Sequence, residues 1–234
     1  MLWYCLIASV SFPAFGAVWN PDPALGSPDR HRRLYDIGRN FGDTNFDPDA
    51  NLVGTHTKRP PNKKSHSTRE SAYYAYGLLL TGDPADRDRA QAILKRVVTC
   101  QDTKPGSPTC GVFNWITEDP PQDLNSAAFV GLTLADVIDL DRRHPSLDPD
   151  LRSQVEKSTR LTILEVMRRD VDPGYTNIAL LSTALAAAGE KLWAVPGAGT
   201  WAQSKLDAVM ALAGDGDFAE YLSPTYTGVA LQGA

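Results

Sequence analysis

Residues 125–138 read NSAAFVGLTLADVI. The segment opens on small polar residues and then runs apolar on nearly every side, with Ala and Gly spread through it. A helix that is apolar all round is buried all round, and small residues let such helices pack closely. Three other segments share the pattern: ESAYYAYGLLLTG (70–82), TNIALLSTALAAAG (176–189) and YTGVALQGA (226–234). Between them lie segments of another kind, DPADRDRAQAILKRVVTCQ (83–101), SLDPDLRSQVEKSTRLTILEVMRRD (146–170) and TWAQSKLDAVMALAGDG (200–216). These are amphipathic, with an apolar stripe that includes Ile93 and Val97 and an opposite face of Arg and Asp. Asp83-Pro84, Asp148-Pro149 and Thr200 supply helix start signals.

The chain therefore alternates an inner, buried helix with an outer, amphipathic one. Glu70, Asn125, Asn177 and Tyr226 open successive inner segments, 55, 52 and 49 residues apart. A period of about 50 residues marks stacked supersecondary units, here helical hairpins whose inner helix needs its neighbours to be buried. The pattern predicts an all-α protein of three hairpins and the opening of a fourth. SPTYTGVALQGA (223–234) matches the start of that fourth inner helix, and its outer partner does not follow. The expectation is a partial ring over 66–234.

Ahead of the repeat, residues 18–65 are rich in Pro, Asp, Asn and Gly and predict an extended, loop-rich arm. Residues 1–17 combine an apolar core of about ten residues with Ala14, Gly16 and Ala17, as in a secretory signal peptide. That core is shorter than the ~20 residues a membrane span needs, so the expectation is a secreted, extracellular protein with no membrane segment after signal removal. Export would leave Cys100 and Cys110, flanking a turn-rich loop, as a pair able to form a disulfide. Neither the cysteines nor the histidines have metal-site spacing, and no metal or cofactor is expected. The composition, 42% hydrophobic and 22% charged, is that of a soluble globular chain, and a net charge of −5 excludes a globally basic nucleic-acid binder.

Polar residues gather at the start of every inner helix: HSTRE (66–70), DPPQDLN (119–125), DPGYTN (172–177) and EYLSPTY (220–226). Stacked hairpins open all these starts on one face, where free N–H groups and the positive dipole end suit an anionic ligand. Capping accounts for Ser67, Asp123 and Thr176. It does not account for Tyr175, Tyr221 and Tyr226 in equivalent places, where amphipathic aromatics suit sugar stacking or else buried packing. KRPPNKKSHSTR (58–69) adds a basic strip at the cleft entrance, made of Lys58, Arg59, Lys63, Lys64, His66 and Arg69, that would attract an anionic polymer or else form a solvated linker.

The alternation and its period resemble the (α/α) toroids, in which inner helices line a ring and outer helices wrap it. The resemblance covers residues 66–234 and implies a carbohydrate-active enzyme, either a glycoside hydrolase or a polysaccharide lyase such as the heparinase II/III-like and alginate-lyase-like enzymes. Lyase chemistry on an acidic polysaccharide needs an enolate stabiliser and a Tyr or His base. The catalytic set would come from Asn125, Asn177, Tyr226 and His66, with Arg69, Glu70, Tyr175, Glu220 and Tyr221 as substrate-binding walls. An inverting hydrolase would instead pair carboxyls such as Glu70 and Glu220, with Asp119 or Asp123 in reserve. A third reading is a non-catalytic helical-repeat module that grips a polymer on its concave face. A partial ring lacks later hairpins that contribute catalytic groups, which would leave its site incomplete.

Overall fold

A computed structural model describes residues 28–55, 64–121 and 123–214. The expected signal segment, the fourth inner helix and the candidates Glu220, Tyr221 and Tyr226 lie outside the described residues. The protein is all-α. Helix α1 (Pro28–Asn45) leads through three very short strands, β1 (Phe46–Asp47), β2 (Leu52–Gly54) and β3 (His66–Ser67), into six helices: α2 (Thr68–Leu79), α3 (Pro84–Val98), α4 (Ser126–Arg143), α5 (Pro149–Arg169), α6 (Thr176–Trp193) and α7 (Ala198–Gly214).

The six helices form three hairpins, α2/α3, α4/α5 and α6/α7. Helix α4 packs against both α2 and α6, whereas α3 packs against α5 and α5 against α7. The result is an inner layer of α2, α4 and α6 and an outer layer of α3, α5 and α7. Helix α4 shows why its sequence is apolar on every side. Val130, Leu134, Val137 and Ile138 enter one core cluster with α2 and α3. Ala127, Ala128, Leu132 and Ala135 enter a second cluster with α5 and α6. Gly131 stands between them, where an added Cβ would come within 2.5 Å of Thr162 Cγ2 and 2.8 Å of Leu185 Cδ2.

Local chemistry sets the helix ends. Asp83 caps α3, accepting from the Ala85 and Asp86 amides at 2.8 and 3.1 Å, with Pro84 in the first turn. Pro149 likewise stands in the first turn of α5, where Asp148 makes no side-chain cap bond. Helix α7 begins at Ala198, two residues before Thr200.

Two expectations are corrected. The arm at 18–65 is not loop throughout, because 28–45 is helical. Its Arg32–Asp36 and Arg39–Asp43 pairs sit at i,i+4 spacing, and Arg39 makes a two-pronged bond to Asp86 of α3 at 2.7 and 2.9 Å. Gly42 allows α1 to close onto Tyr74, whose ring would meet an added Cβ at 2.1 Å.

The Cys100–Cys110 disulfide is also absent, and both thiols are free. The segment 101–113 folds back on itself with Gln101 opposite Phe113, and Cys100 O accepts from Asn114 N at 3.1 Å. Cys110 lies four residues before Asn114, in the turn that closes the segment, and does not face Cys100. A disulfide needs a Cα separation below about 7 Å. The loop is closed instead by Asp102, which accepts from Ser107 and Thr109 hydroxyls at 2.5 and 2.6 Å. Gln101, buried, ties the loop to α5 through Ser158 O at 3.1 Å and Thr162 Oγ1 at 2.8 Å.

Candidate functional site

The inner helices present their N-termini side by side. At α2, Ser67 caps the helix by accepting from Glu70 N at 3.3 Å. The next residue but one, Arg69, places its guanidinium 5.0 Å from the Trp115 ring centre and 5.4 Å from that of Phe129. The two rings are themselves 5.5 Å apart and tilted at 56°. Phe129 belongs to the first turn of α4, so Arg69 spans from α2 to α4. Glu70 Oε1 accepts from Arg69 Nε at 3.0 Å and Nη2 at 2.5 Å, and both side chains are about one quarter exposed. Burial alone would pull the Arg69 guanidinium down. The Glu70 carboxylate and the Tyr73 phenol beside it outweigh this and hold it above its ordinary value.

Asn125 precedes α4, with its backbone N–H bonded to Asp123 Oδ1 at 2.9 Å. Its amide Nδ2 donates to the Tyr175 hydroxyl oxygen at 3.0 Å. Tyr175 occupies the equivalent position before α6 and is 38% exposed. The loop that carries it is tied down by Asp172, which accepts from Gly174 N at 2.7 Å. Asn125 Oδ1 is buried without a hydrogen-bond partner among the described residues. Three helix starts are thus linked in a row, Arg69 and Glu70 from α2, Phe129 and Asn125 from α4, and Tyr175 from α6.

Two of the expected catalytic residues sit differently. Asn177 lies in the first turn of α6 and is only 3% exposed. His66 is buried in β3, and both its ring nitrogens are occupied: Nδ1 is 2.6 Å from Glu118 Oε1 and Nε2 is 3.2 Å from Asp47 Oδ2. It is a link between segments and has no open nitrogen for a ligand. The basic strip is also partly spent. Lys64 bonds Asp47 Oδ2 at 2.5 Å, while Lys58, Arg59 and Lys63 lie outside the described residues. Lys64, helped by His66 and the Asp49 and Ala50 amides, holds the Asp47 carboxyl well below its ordinary range. Partial burial would raise Glu118, but the His66 ring and backbone N–H outweigh it and bring that carboxyl down as well.

Sequence reasoning missed Trp115, Phe129, Asp47 and Glu118. A tryptophan in the polar stretch ahead of the second inner helix is the one local signal that points to this wall. Among the described residues, no group of three or more His, Cys, Asp or Glu could hold a metal ion, and no helix is long and apolar enough to cross a membrane.

Fold and site together define a stack of helical hairpins with a polar-aromatic row along one edge of its inner layer. The chain belongs to the family described as Domain of unknown function (DUF8769), whose model matches residues 32–234. No curated protein and no solved structure matches it.

Proposed function

We propose that this chain has an (α/α)-toroid-like fold and contributes a saccharide-binding groove to a secreted enzyme that cleaves an acidic polysaccharide by β-elimination. The two-layer stack of three hairpins supports the toroid reading. The observation that carries the chemistry is the Asn125–Tyr175 bond at 3.0 Å, made across two adjacent inner-helix starts.

An elimination removes the proton alpha to the uronate carboxylate, forms a carbon–carbon double bond and breaks the glycosidic C–O bond, whose oxygen leaves with a proton. Tyr175 is exposed and accepts an N–H from Asn125, which fixes the hydroxyl of the candidate base. Arg69, steadied by two aromatic faces, is the cation on hand for the carboxylate that takes up the developing charge. Trp115 offers an apolar ring beside it for a sugar face.

A second reading rests on the carboxylates in the loops ahead of α4 and α6. Glu118, Asp119, Asp123 and Asp172 lie there, and Arg69 is already paired with Glu70. That balance favours hydrolysis of a neutral glycan. Incubation with uronate and neutral polymers separates the two. New ultraviolet absorbance from an unsaturated product marks elimination, and reducing ends without it mark hydrolysis. Binding with neither marks a non-catalytic groove, and no binding of any polymer removes the carbohydrate reading.

A further inference from the structure

The two nitrogens of His66 both face carboxylate oxygens, at 2.6 Å on Glu118 and 3.2 Å on Asp47. An ionised carboxylate only accepts, and a neutral imidazole carries a single N–H. Both bonds can be satisfied together only when both ring nitrogens are protonated. The backbone N–H of His66 occupies the other Glu118 oxygen at 3.1 Å, so this carboxylate already has a fixed orientation. We infer that His66 acts as a protonated staple that holds the Trp115 wall of the groove in place, and that loss of its proton loosens that wall.

The mechanical path is short. Glu118 ends the segment that carries Trp115. That segment is joined to β3 and α2 by Thr117 N to His66 O at 3.0 Å and Thr68 N to Trp115 O at 3.1 Å, with Ser67 opposite Ile116. Asp47 belongs to β1, so the same imidazole also anchors the sheet in front of α2. A neutral ring must abandon one carboxylate, leaving its lone pair facing a carboxylate oxygen. The groups that face the ring are Asp47 from β1 and Glu118 from the Trp115 segment. Lys64, on the strand side, bonds Asp47 and feels Asp49 beyond it. Lys64 keeps Asp47 ionised and so keeps the requirement for a second ring N–H. This makes His66 a positioning residue for the groove, with a proton as its regulator. Only the consequence for a bound saccharide rests on the function proposed above.

The test uses amide hydrogen exchange on the full chain without ligand. Thr68 and Thr117, whose amides cross the junction, report it, and α4 core amides serve as the control. Raising the pH from about 5.5 to about 9 should lower the protection factors of Thr68 and Thr117 by about tenfold relative to the control. Glu118→Gln should abolish that fall. Its amide can donate to an unprotonated Nδ1 while its oxygen accepts the His66 N–H, so a neutral ring makes every bond. Asp47→Asn offers the same remedy at Nε2 and serves if the first variant does not fold. Flat protection in the native protein overturns the inference, as does an undiminished fall in the folded variants. Saccharide binding is measured separately: a pH-dependent junction with no binding of any polymer sinks the groove and leaves the staple standing.

Discussion

Replacing Gly131 by Ala tests the packing that makes this a two-layer stack. In an ordinary helix the change stabilises by roughly 1 kcal/mol, because glycine costs more backbone entropy. Here the new Cβ would lie 2.5 Å from Thr162 Cγ2, 2.8 Å from Leu185 Cδ2 and 3.2 Å from Thr162 Cβ. Leu185 can turn its terminal methyl aside. Thr162 cannot, because its Oγ1 accepts from Gln101 Nε2 at 2.8 Å and donates toward Ser158 O at 3.0 Å or Gly111 O at 3.3 Å. Rotating it away would break a buried network, so α4 and α5 must separate. Overpacking of this kind costs about 1–3 kcal/mol; the pinned Thr162 puts this contact toward the upper end, about 2–3 kcal/mol, and the net expectation is a loss of ~1–2 kcal/mol after the helix gain. Urea unfolding should show a lower midpoint at unchanged slope. Thr162→Ser removes the offending methyl but keeps the hydroxyl network, so Gly131→Ala in that background should recover most of the loss. A single Gly131→Ala variant as stable as the native protein would refute the close contact between the layers.

Three further outcomes follow from the same geometry. Asn177→Ala should lower stability by about 1 kcal/mol or more in urea melts, because the side chain is buried at the head of α6; weakened saccharide binding at unchanged stability would return it to the groove. Alkylation of the native, unreduced protein should label half-buried Cys110 ahead of buried Cys100, whose thiol is pushed up by burial, and a linked Cys100–Cys110 peptide in mass spectrometry would refute the register of the 101–113 segment. Asp47 and Glu118 are both held below the ordinary carboxyl range, so their contribution is fully present above about pH 4 and lost as the pH falls through their folded values. Asp47→Asn should make the fall in melting temperature on acidification shallower, and an equally steep fall would show that other carboxyls dominate.

What the sequence revealed follows from what its periodicity encodes. An inner helix squeezed between two core clusters must be apolar on both faces, so α4 and α6 announce themselves, and their starts fall within a residue of Asn125 and Asn177. Helix α1 obeys another rule. Its Ile37 and Phe41 point outward, 64% and 45% exposed, and its docking is polar: Tyr35 donates to Gly77 O at 3.1 Å and Arg39 pairs with Asp86. No hydrophobic stripe marks such a helix, and Gly42, which reads as a loop signal, is there to admit Tyr74. The candidate site divides in the same way. The sequence points to Asn125 and Tyr175 as the residues just before two inner helices and to Arg69 in the first turn of a third, because the repeat gathers polar residues at the inner-helix starts. His66 was legible as a residue but not in its role, because its partners lie 19 and 52 residues away and reach it through backbone pairing that no local pattern records. A histidine near a groove suggests a base until its neighbours are known, and two carboxylates on its two nitrogens turn it into a bridge. Among the linked residues Tyr175 is the most exposed, at 38%, and under the function proposed above it is the group left to meet a substrate.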